Sequence, residues 1–410
     1  MGKRILIACS AEQRRIDVLA HRILIAGAGI GGLAAALVCA QRGMQVTVLE
    51  AAKEFGEVGA GIQLGPNAMK VIEALGLKKD VLQVASLPEA IVITDAQSGK
   101  PISRMLLGEA ARQKYGAAYV SMHRADLHGA LLRAAQAAGV QLQVNQSLSK
   151  YEQSAQYICR LDADLDQKYD VLIGADGLWS KVRSQMLNDG APRATGHAAF
   201  RTMLPASAVP EGLRTPHVRT WWARNVHVVS YPIRGGSVWN LVVLAEMPAS
   251  AASGWSLDAN HQDVMQLFKR TEPQLRALLD AGGAQTTLWK RWNLFDRKRL
   301  AAAQVAQGRV ALLGDAAHPM LPYLAQGAAM ALEDAWVLAE CLSAQVDVSQ
   351  ALQAYANKRV ERNARVVRTA QRNGKIFHLS GPIAVARDAV LSLKGTSVVG
   401  LSWLYGHSVV

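Results

Sequence analysis

Cysteine and charge are both scarce in this chain of 410 residues. None of its four cysteines belongs to a CxxC pair, which argues against a disulfide framework or a zinc site and favours a reducing cytoplasm. No set of His, Asp and Glu has metal-ligand spacing, so we expect no metal. Charged residues make up 19% of the sequence and hydrophobic residues 50%, which excludes a disordered or fibrous protein.

Acidic residues are also few, and the formal net charge is +13. Such an excess of positive charge favours an anionic ligand, for example a dinucleotide or a carboxylate. Nucleic-acid binding would need interleaved aromatic residues or a recognised module, and because neither is present we expect no nucleic-acid partner. Near the end of the chain four arginines recur at helical spacing, and we interpret them as a solvated helix face: Arg362, Arg365, Arg368 and Arg372.

The sequence lacks a signal peptide, and its one long uncharged run, Ile23–Ala40, is interrupted by glycines. A β-branched run followed by clustered glycines indicates a strand, a tight turn and a helix, so we expect no membrane span. Residues 1–20 repeat the string RILIA without the glycines that follow its second copy. We interpret residues 1–20 as an N-terminal extension of uncertain order that carries no chemistry.

A βαβ unit opens the main part of the chain, with a strand at 22–26, a helix at about 30–42 and a strand at 46–49. The loop between the first strand and the helix reads GAGIGG and matches GxGxxG. Gly27 permits the tight turn, Gly29 lets a pyrophosphate approach the backbone, and Gly32 lets helix and strand pack closely, with Gly31 beside it. The second strand ends in Glu50, which is well placed to hold ribose hydroxyls. This pattern predicts a dinucleotide site.

Two further strands end in aspartate. The strings YDVLIGADGLWSKV and GRVALLGDAAHP present Asp176 and Asp315 at the carboxyl ends of apolar strands, where α/β sheets bind ligands. There is one GxGxxG and no second one for a nicotinamide cofactor, no redox cysteine pair and no GxSxG elbow.

With these motifs in this order, the sequence resembles the single-component, FAD-dependent aromatic hydroxylases. The strings VGAGIQLGPNA, HRADLH, YPIRGG, PYLAQGAAMALEDA and WLYG are similar to the salicylate and 3-hydroxybenzoate hydroxylase branch. The resemblance covers residues 22–410. It implies an α/β fold in which a Rossmann-like FAD-binding domain carries an inserted antiparallel-sheet substrate domain and C-terminal helices.

We expect the FAD-binding domain to span residues 21–185 and 291–375, with some substrate-domain strands around 90–120. The β-rich substrate domain is expected over 186–290, where alternating apolar runs indicate antiparallel strands, and a helical segment over 376–410.

The resemblance also implies which residues hold FAD. Gly27, Gly29, Gly32 and Glu50 would hold the ADP half, and Asp315 the ribityl chain. Arg124 would reach the flavin side, and Asp176 belongs to a motif linked to both FAD and the pyridine nucleotide. Three helix-start residues and a proline would lie along the isoalloxazine, where free N–H groups stabilise negative charge: Pro322, Gly327, Ala328 and Ala329.

The implied reaction uses NADH or NADPH to reduce FAD, after which dioxygen reacts at the flavin C4a position and one oxygen atom passes to an electron-rich ring. A phenolic ring reacts better as phenolate, so a general base is expected near the substrate. We propose His227 as that base and Tyr231 as a hydrogen-bond partner of the substrate, because a separation of four places both on one face of a strand. A structural sheet histidine is the alternative reading of His227. The other candidate histidines, His318, His123 and His128, are interpreted as structural.

Several questions stay open at this level. The substrate is expected to be a small phenolic acid, salicylate-like or 3-hydroxybenzoate-like, with dioxygen as the second substrate. Gln63 stands where the hydroxynicotinate-type branch would need a base, which favours benzoates over hydroxypyridine carboxylates. A same-fold FAD reductase or dehydrogenase, a NAD-dependent dehydrogenase and a basic binding protein are alternatives, and the chain is expected to be a monomer or homodimer. Four arginines are candidates for the substrate carboxylate: Arg104, Arg201, Arg219 and Arg234.

Overall fold

The structure is a computed structural model that describes residues 21–56, 60–162, 167–248, 257–284, 289–394 and 400–410. The extension expected over residues 1–20 lies outside these ranges. The described residues form the following strands: β1 (Arg22–Ala26), β2 (Gln45–Leu49), β3 (Gly61–Leu64), β4 (Ala90–Asp95), β5 (Pro101–Leu106), β6 (Val120–His123), β7 (Gln141–Gln143), β8 (Tyr151–Gln153), β9 (Ile158–Arg160), β10 (Lys168–Tyr169), β11 (Val171–Gly174), β12 (Arg193–Pro205), β13 (His217–Ala223), β14 (Val226–Ile233), β15 (Val238–Glu246), β16 (Leu257–Ala259), β17 (Trp289–Asp296), β18 (Ala306–Gln307) and β19 (Val310–Leu312).

The helices in the same ranges are these: α1 (Ile30–Gln41), α2 (Pro66–Ala74), α3 (Lys78–Val84), α4 (Gly108–Tyr115), α5 (Arg124–Ala137), α6 (Lys181–Leu187), α7 (His261–Met265), α8 (Pro273–Ala284), α9 (Ala302–Val305), α10 (Gly327–Ala344), α11 (Val348–Phe377), α12 (Gly381–Lys394) and α13 (Ser402–Tyr405). No single helix in the described part of the chain is long and apolar enough to cross a membrane, and one pair, α11 with α12, passes that test only when joined across a 115° bend.

A six-stranded sheet of order β18-β19-β11-β1-β2-β7 forms the first domain, and it is parallel except for the β18–β19 pair. The predicted βαβ unit is confirmed, because β1 pairs in parallel with β2 through the crossover helix α1. Ile23, Leu24 and Ile25 of β1 are fully buried and contribute to cores on both faces of the sheet. Burial on both faces explains why β1 is an unbroken apolar run.

Helix α1 packs closely against α10 as well as against the sheet. A Cβ on Gly31 would lie 2.6 Å from the Leu313 side chain and 3.1 Å from the Ala331 Cβ, so only glycine permits this approach. The close packing holds α10 beside the loop that precedes α1.

An eight-stranded sheet of order β16-β17-β12-β15-β14-β13-β4-β5 forms the second layer. It differs from the expected antiparallel sheet in one pair, since β4 and β13 run parallel. The sheet also extends past residue 290, because β17 pairs with β12 as far as Asp296. Strands β4 and β5 reach this sheet from the preceding part of the chain, and a long-range parallel pairing of that kind leaves no local sequence signal.

The two faces of this sheet have different neighbours. One face packs under α7 and α8, with Trp221, Leu275 and Leu278 in its buried cluster. The other faces the first domain across the ribbon of β3 and β6, where the Gly61 N–H donates to the Asn240 side chain over 2.7 Å. A site between the two domains must therefore use the second face.

Candidate active site

The glycine-rich loop between β1 and α1 is shaped by two steric limits. Gly27 has a φ of +103°, and a Cβ there would lie 2.4 Å from the Ala175 carbonyl oxygen. A Cβ on Gly32 would lie 2.0 Å from the Gly27 carbonyl oxygen. At Gly29, by contrast, no described atom lies within 4 Å of the Cβ position. Gly27 and Gly32 are thus required by the chain itself, while Gly29 leaves an open side on which a ligand can approach the backbone.

Two side chains hold this loop in place. Glu50 accepts hydrogen bonds from the Ala28 N–H over 3.0 Å and from the Ala52 N–H over 2.8 Å. The buried His128 ring lies with its Nε2 2.8 Å from the Ala28 carbonyl oxygen. His128 therefore positions the dinucleotide loop, in keeping with its predicted structural role. His123 is structural too, since its Nδ1 accepts from the Ala125 N–H at the start of α5.

The aspartate after β19 lies on the open side of the same edge. Asp315 is exposed at the mouth of the cleft, the name given to the region where the carboxyl edge of the six-stranded sheet faces the eight-stranded sheet. Enough protein nevertheless surrounds Asp315 that desolvation raises its pKa. His318 and Arg124 oppose that shift and stabilise the carboxylate. The preceding residue, Gly314, donates its N–H to Asp334 over 3.1 Å, which fixes the turn. The carboxylate of Asp315 is therefore available to accept hydrogen bonds from a ligand.

Arg124 and Asp176 border the cleft from two other elements. Arg124 begins α5, and its charge acts on both Asp315 and Arg201, so it lies between the dinucleotide edge and the substrate sheet. Asp176 accepts the Lys181 and Val182 N–H groups over 2.8 and 3.1 Å at the start of α6. Its other oxygen, Oδ1, is buried without a hydrogen-bond partner among the described residues, and burial raises its pKa. A buried polar atom without a partner calls for an explanation, and a ligand bound at this edge of the sheet would supply one.

The start of α10 presents backbone N–H groups to the same cleft. The first hydrogen bond of the helix runs from the Met330 N–H to the Gln326 carbonyl oxygen, which leaves the preceding three N–H groups outside the ladder. Gly327 is open around its Cβ position, whereas the Ala329 side chain is fully buried in the core. Asn67 donates to the Gln326 side chain over 3.0 Å and so fixes this helix end. Pro322 and Ala328 are half-buried beside it.

On the facing sheet, β14 alternates between two surroundings. Val226 and Val228 belong to the cluster under α7 and α8, whereas Tyr231 packs with the first domain. His227 shares the face of Tyr231, because it alternates with Val226 and Val228 along β14, and its ring centroid is 5.3 Å from that of Tyr323 in the loop before α10. The prediction that a spacing of four places both side chains on one face is confirmed.

The two side chains have complementary protonation states. Burial, His378 and His197 hold the pKa of His227 well below 6.5, so its ring is neutral at pH 7. Burial raises the pKa of Tyr231 to about 12, against the opposing effects of Arg201 and of a hydrogen bond with Gln63. His227 is therefore a proton acceptor and Tyr231 a hydrogen-bond donor at neutral pH.

The four arginines that are candidates for binding the substrate carboxylate lie in different places relative to the cleft. Arg234 forms a bidentate ion pair with Asp126, at 3.0 and 3.1 Å, and Arg104 is on the edge strand β5. Arg219 alternates with Val218, which faces the first domain, and so lies on the opposite face. Arg201 is close enough to Tyr231 for their charges to interact, and its Nε is buried without a hydrogen-bond partner in the described chain. Of the four, Arg201 alone faces the cleft as a cation with no acidic partner among the described residues.

The sequence interpretation of the basic helix face is wrong for Arg362. Its guanidinium donates to both oxygens of the buried Glu333 over 2.6 Å. Arg359 bridges Glu333 and Asp334 at 2.9 and 2.7 Å, and Arg365 stacks on Trp403 with its Cζ 3.9 Å from the ring centre. The sequence did contain a sign of these ion pairs, namely the adjacent acidic residues in the ALEDA string. Arg368 and Arg372 are exposed, as predicted.

A group of polar side chains behind His227 was not predicted from the sequence. His378, at the end of α11, lies with its Nε2 2.9 Å from His227 Nδ1, and its Nδ1 lies 2.8 Å from Glu246 Oε1. On the other side the Tyr323 hydroxyl lies 2.6 Å from His197 Nδ1. These residues come from four separate parts of the chain, so no local spacing links them.

A parallel sheet with a glycine-rich loop, a strand-end aspartate and a facing β-sheet defines a dinucleotide-binding domain closed by a substrate sheet. A family model described as an FAD binding domain matches residues 20–370. The chain is 39% identical over 399 residues to 3-hydroxybenzoate 6-hydroxylase 1 of Aquipseudomonas alcaligenes, covering 95% of this chain and 98% of that protein. It is 36% identical over 397 residues to 3-amino-4-hydroxybenzoate 2-monooxygenase of Streptomyces cremeus, covering 94% and 95%.

A solved structure of a salicylate hydroxylase substrate complex has the same fold, with a TM-score of 0.80 at 24% identity over 94% of this chain and 95% of that one. The chain belongs to the FAD-dependent aromatic hydroxylases, the family that its motifs resemble. It is thus an FAD-dependent monooxygenase, and the alternatives of a NAD-dependent dehydrogenase and a basic binding protein are wrong.

FAD fits the residues present. The open side of Gly29, the unpartnered Asp176 Oδ1 and the accessible Asp315 carboxylate lie around the carboxyl edge of the parallel sheet, where the family holds its cofactor. When bound, FAD supplies the redox and oxygen chemistry, and the chain binds, orients and shields the reactants.

Proposed function

We propose that this enzyme hydroxylates a small phenolic aromatic acid, using dioxygen and NADH or NADPH. The observation that carries the proposal is the common face of Arg201, His227 and Tyr231, which combines an unpaired cation, a neutral base and a neutral donor. A phenol that bears a carboxylate needs these three groups. The names of the relatives support the same substrate class.

Each group has a separate task in this proposal. The Arg201 guanidinium binds the substrate carboxylate, since an arginine fork matches two carboxylate oxygens. His227 accepts the phenolic proton through Nε2, because its Nδ1 is engaged with His378. Tyr231 donates a hydrogen bond to the substrate. Loss of the phenolic proton raises the electron density of the ring, which prepares it for attack on an electrophilic oxygen.

We further propose a benzoate of the 3-hydroxybenzoate type over a hydroxypyridine carboxylate. Gln63 accepts a hydrogen bond from the Tyr119 hydroxyl over 2.6 Å, and its hydrogen bond with Tyr231 acts to lower the pKa of that phenol, so its amide is held between two tyrosines. It offers no base to a pyridine ring. We propose that the enzyme works in the cytoplasm. We also propose that it is a monomer or homodimer, and light scattering on the purified protein tests this oligomeric state.

The experiment is NAD(P)H oxidation by the FAD-loaded enzyme across a panel of monohydroxylated benzoates and pyridine carboxylates, with products identified by mass. A compound that accelerates oxidation and gains one oxygen atom supports the proposal and names the branch. Loss of carbon dioxide as well would assign a salicylate-type reaction. Stimulation with hydrogen peroxide as the only product would mark a mimic, and stimulation by none of the panel would contradict the proposal and favour an oxygen-independent flavoprotein.

A further inference from the structure

A continuous hydrogen-bonded chain leads from the buried base to the protein surface. His227 Nδ1 lies 2.9 Å from His378 Nε2, and His378 Nδ1 lies 2.8 Å from Glu246 Oε1. His227 and His378 are 2% and 5% exposed, whereas the Glu246 side chain is 42% exposed. This hydrogen-bonded chain therefore connects a buried imidazole to a carboxylate in water.

The side chains around the two imidazole rings shield the hydrogen-bonded chain from solvent. Phe377 packs edge-on against His227 with ring centroids 5.4 Å apart, and Tyr323 covers the ring from the loop before α10. The titratable groups that face the imidazoles are His197 on β12, Tyr323 and Glu246, and Tyr323 is paired with His197 at 2.6 Å. Glu246 is thus the one carboxylate in hydrogen-bond contact with the pair among the described residues.

A purely structural role does not account for two buried imidazoles that are hydrogen-bonded to each other. Burial lowers the pKa of His378, with Glu246 opposing, so both rings are neutral at pH 7 and each must pass one N–H to the next acceptor. A neutral imidazole donates through one nitrogen and accepts through the other, which is the property a proton relay needs.

Resting on the proposed function, we propose that His227, His378 and Glu246 form a relay that carries the phenolic proton from the substrate to bulk water. The substrate O–H bond breaks as the His227 Nε2–H bond forms, while the Nδ1 proton of His227 passes to His378 Nε2. The Nδ1 proton of His378 passes to Glu246, which releases it to water. The net change is one proton moved from the substrate to solvent, and the reverse transfer restores the tautomers when the product oxygen is reprotonated. His378 and Glu246 are positioning residues that act through His227.

The test is stopped-flow mixing of the oxidised, FAD-loaded enzyme with 3-hydroxybenzoate, following phenolate absorbance and, with an indicator dye in weak buffer, proton release. In the wild type we expect both signals to rise together. In His378→Gln we expect phenolate formation to slow by about 100-fold, within the range of general acid–base effects, and to recover partly on adding imidazole. Glu246→Gln is expected to slow proton release about tenfold, while Glu340→Gln, at an exposed ion pair with Lys358, leaves both signals unchanged.

Unchanged phenolate formation in His378→Gln, or unchanged proton release in Glu246→Gln, would overturn the relay. The relay would also be overturned if the wild-type complex formed no phenolate but the enzyme still yielded hydroxylated product. That result would leave the proposed function intact. If the wild type neither binds nor hydroxylates any phenolic acid, the proposed function and the relay both fail. If His378→Gln loses FAD, the rate of proton release in the surface variant Glu246→Gln decides whether the relay operates.

Discussion

Gly61 donates its backbone N–H to the Asn240 side-chain oxygen over 2.7 Å and thereby joins the β3–β6 ribbon of the FAD-binding domain to the substrate sheet. The contact leaves no room for a side chain, because a Cβ on Gly61 would lie 2.7 Å from Tyr231 Cε2 and 2.8 Å from Asn240 Cβ. The position of Tyr231 in the cleft thus depends on a glycine of the other domain.

Gly61→Ala should therefore displace Tyr231. We expect the Kd for the aromatic substrate to rise about tenfold and the free energy of unfolding to fall by about 1–3 kcal/mol from overpacking. Fluorescence titration and urea unfolding measure these effects. Gly56→Ala is the matched control, since no described atom lies within 4 Å of its Cβ position, and equal effects in both variants would contradict the role of Gly61.

Arg201→Gln should weaken binding of charged substrates selectively. A charged hydrogen bond contributes about 1.5–3 kcal/mol, so the Kd for 3-hydroxybenzoate should rise about 10- to 150-fold while that for uncharged 3-hydroxybenzyl alcohol changes little. Arg219→Gln, on the opposite face of the sheet, is the control and should leave the ratio unchanged. The idea fails if both ligands weaken equally in Arg201→Gln.

The glycine-rich loop allows cofactor binding to be separated from stability. Gly27→Ala should destabilise the protein, because φ is +103° and the new Cβ would contact Ala175. Gly29→Ala meets no described atom, so the apoprotein should keep its Tm while its affinity for FAD falls at least tenfold through contact with the pyrophosphate. Thermal scans of apo and FAD-loaded protein distinguish these outcomes, and normal FAD affinity in Gly29→Ala would place the cofactor elsewhere.

The buried carboxylate of Asp334 makes stability depend on acid. Burial alone would raise its pKa, but the charges of His318 and Arg359 outweigh burial and hold the pKa far below its usual range. At pH values between the lowered pKa of the folded state and the unfolded pKa of about 3.9, the unfolded chain binds a proton at Asp334 that the folded chain does not. The contribution of the Asp334 carboxylate to folding stability is therefore present above about pH 4 and is lost as pH falls.

Asp334→Asn should accordingly lower the free energy of unfolding at pH 7 by about 3–5 kcal/mol, because Arg359 loses one of its two carboxylate partners and His318 loses a charged hydrogen-bond partner in a buried site. Urea unfolding from pH 7 to pH 3 measures the difference from the wild type, which should shrink toward acidic pH. Asp258→Asn, at an exposed ion pair with Lys290, is the control and should show little effect. A pH-independent difference in Asp334→Asn would contradict the account.

His227→Asn should reduce the hydroxylation rate by about 10²- to 10⁴-fold, the usual contribution of a general base, while FAD binding is unchanged. Because burial and the neighbouring histidines hold the pKa of His227 well below 6.5, wild-type phenolate formation should stay level from pH 8 down through pH 6. In the variant it should rise with pH toward the pKa of the free phenol. A wild-type profile that falls near pH 6.5 would show that another group is the base.

The sequence predicted the parts of this molecule that depend on short-range patterns. The strand, glycine loop and helix from Arg22 to Gln41 are encoded within twenty residues, and a spacing of four was enough to place His227 and Tyr231 on one face. The parallel β4–β13 pair and the contact of His227 with His378, 151 residues away, depend on tertiary structure alone. Arg362 looked like a surface residue because its acidic partner, Glu333, is 29 positions distant.

In the proposed reaction this enzyme transfers an oxygen atom from dioxygen to a phenolic acid. The most direct measurement is mass spectrometry of the product formed from 3-hydroxybenzoate by the FAD-loaded enzyme with NADH or NADPH under ¹⁸O₂. The account predicts a dihydroxybenzoate that carries one ¹⁸O atom. Unchanged 3-hydroxybenzoate with all consumed oxygen recovered as hydrogen peroxide, or a hydroxylated product whose new oxygen comes from water, would contradict it.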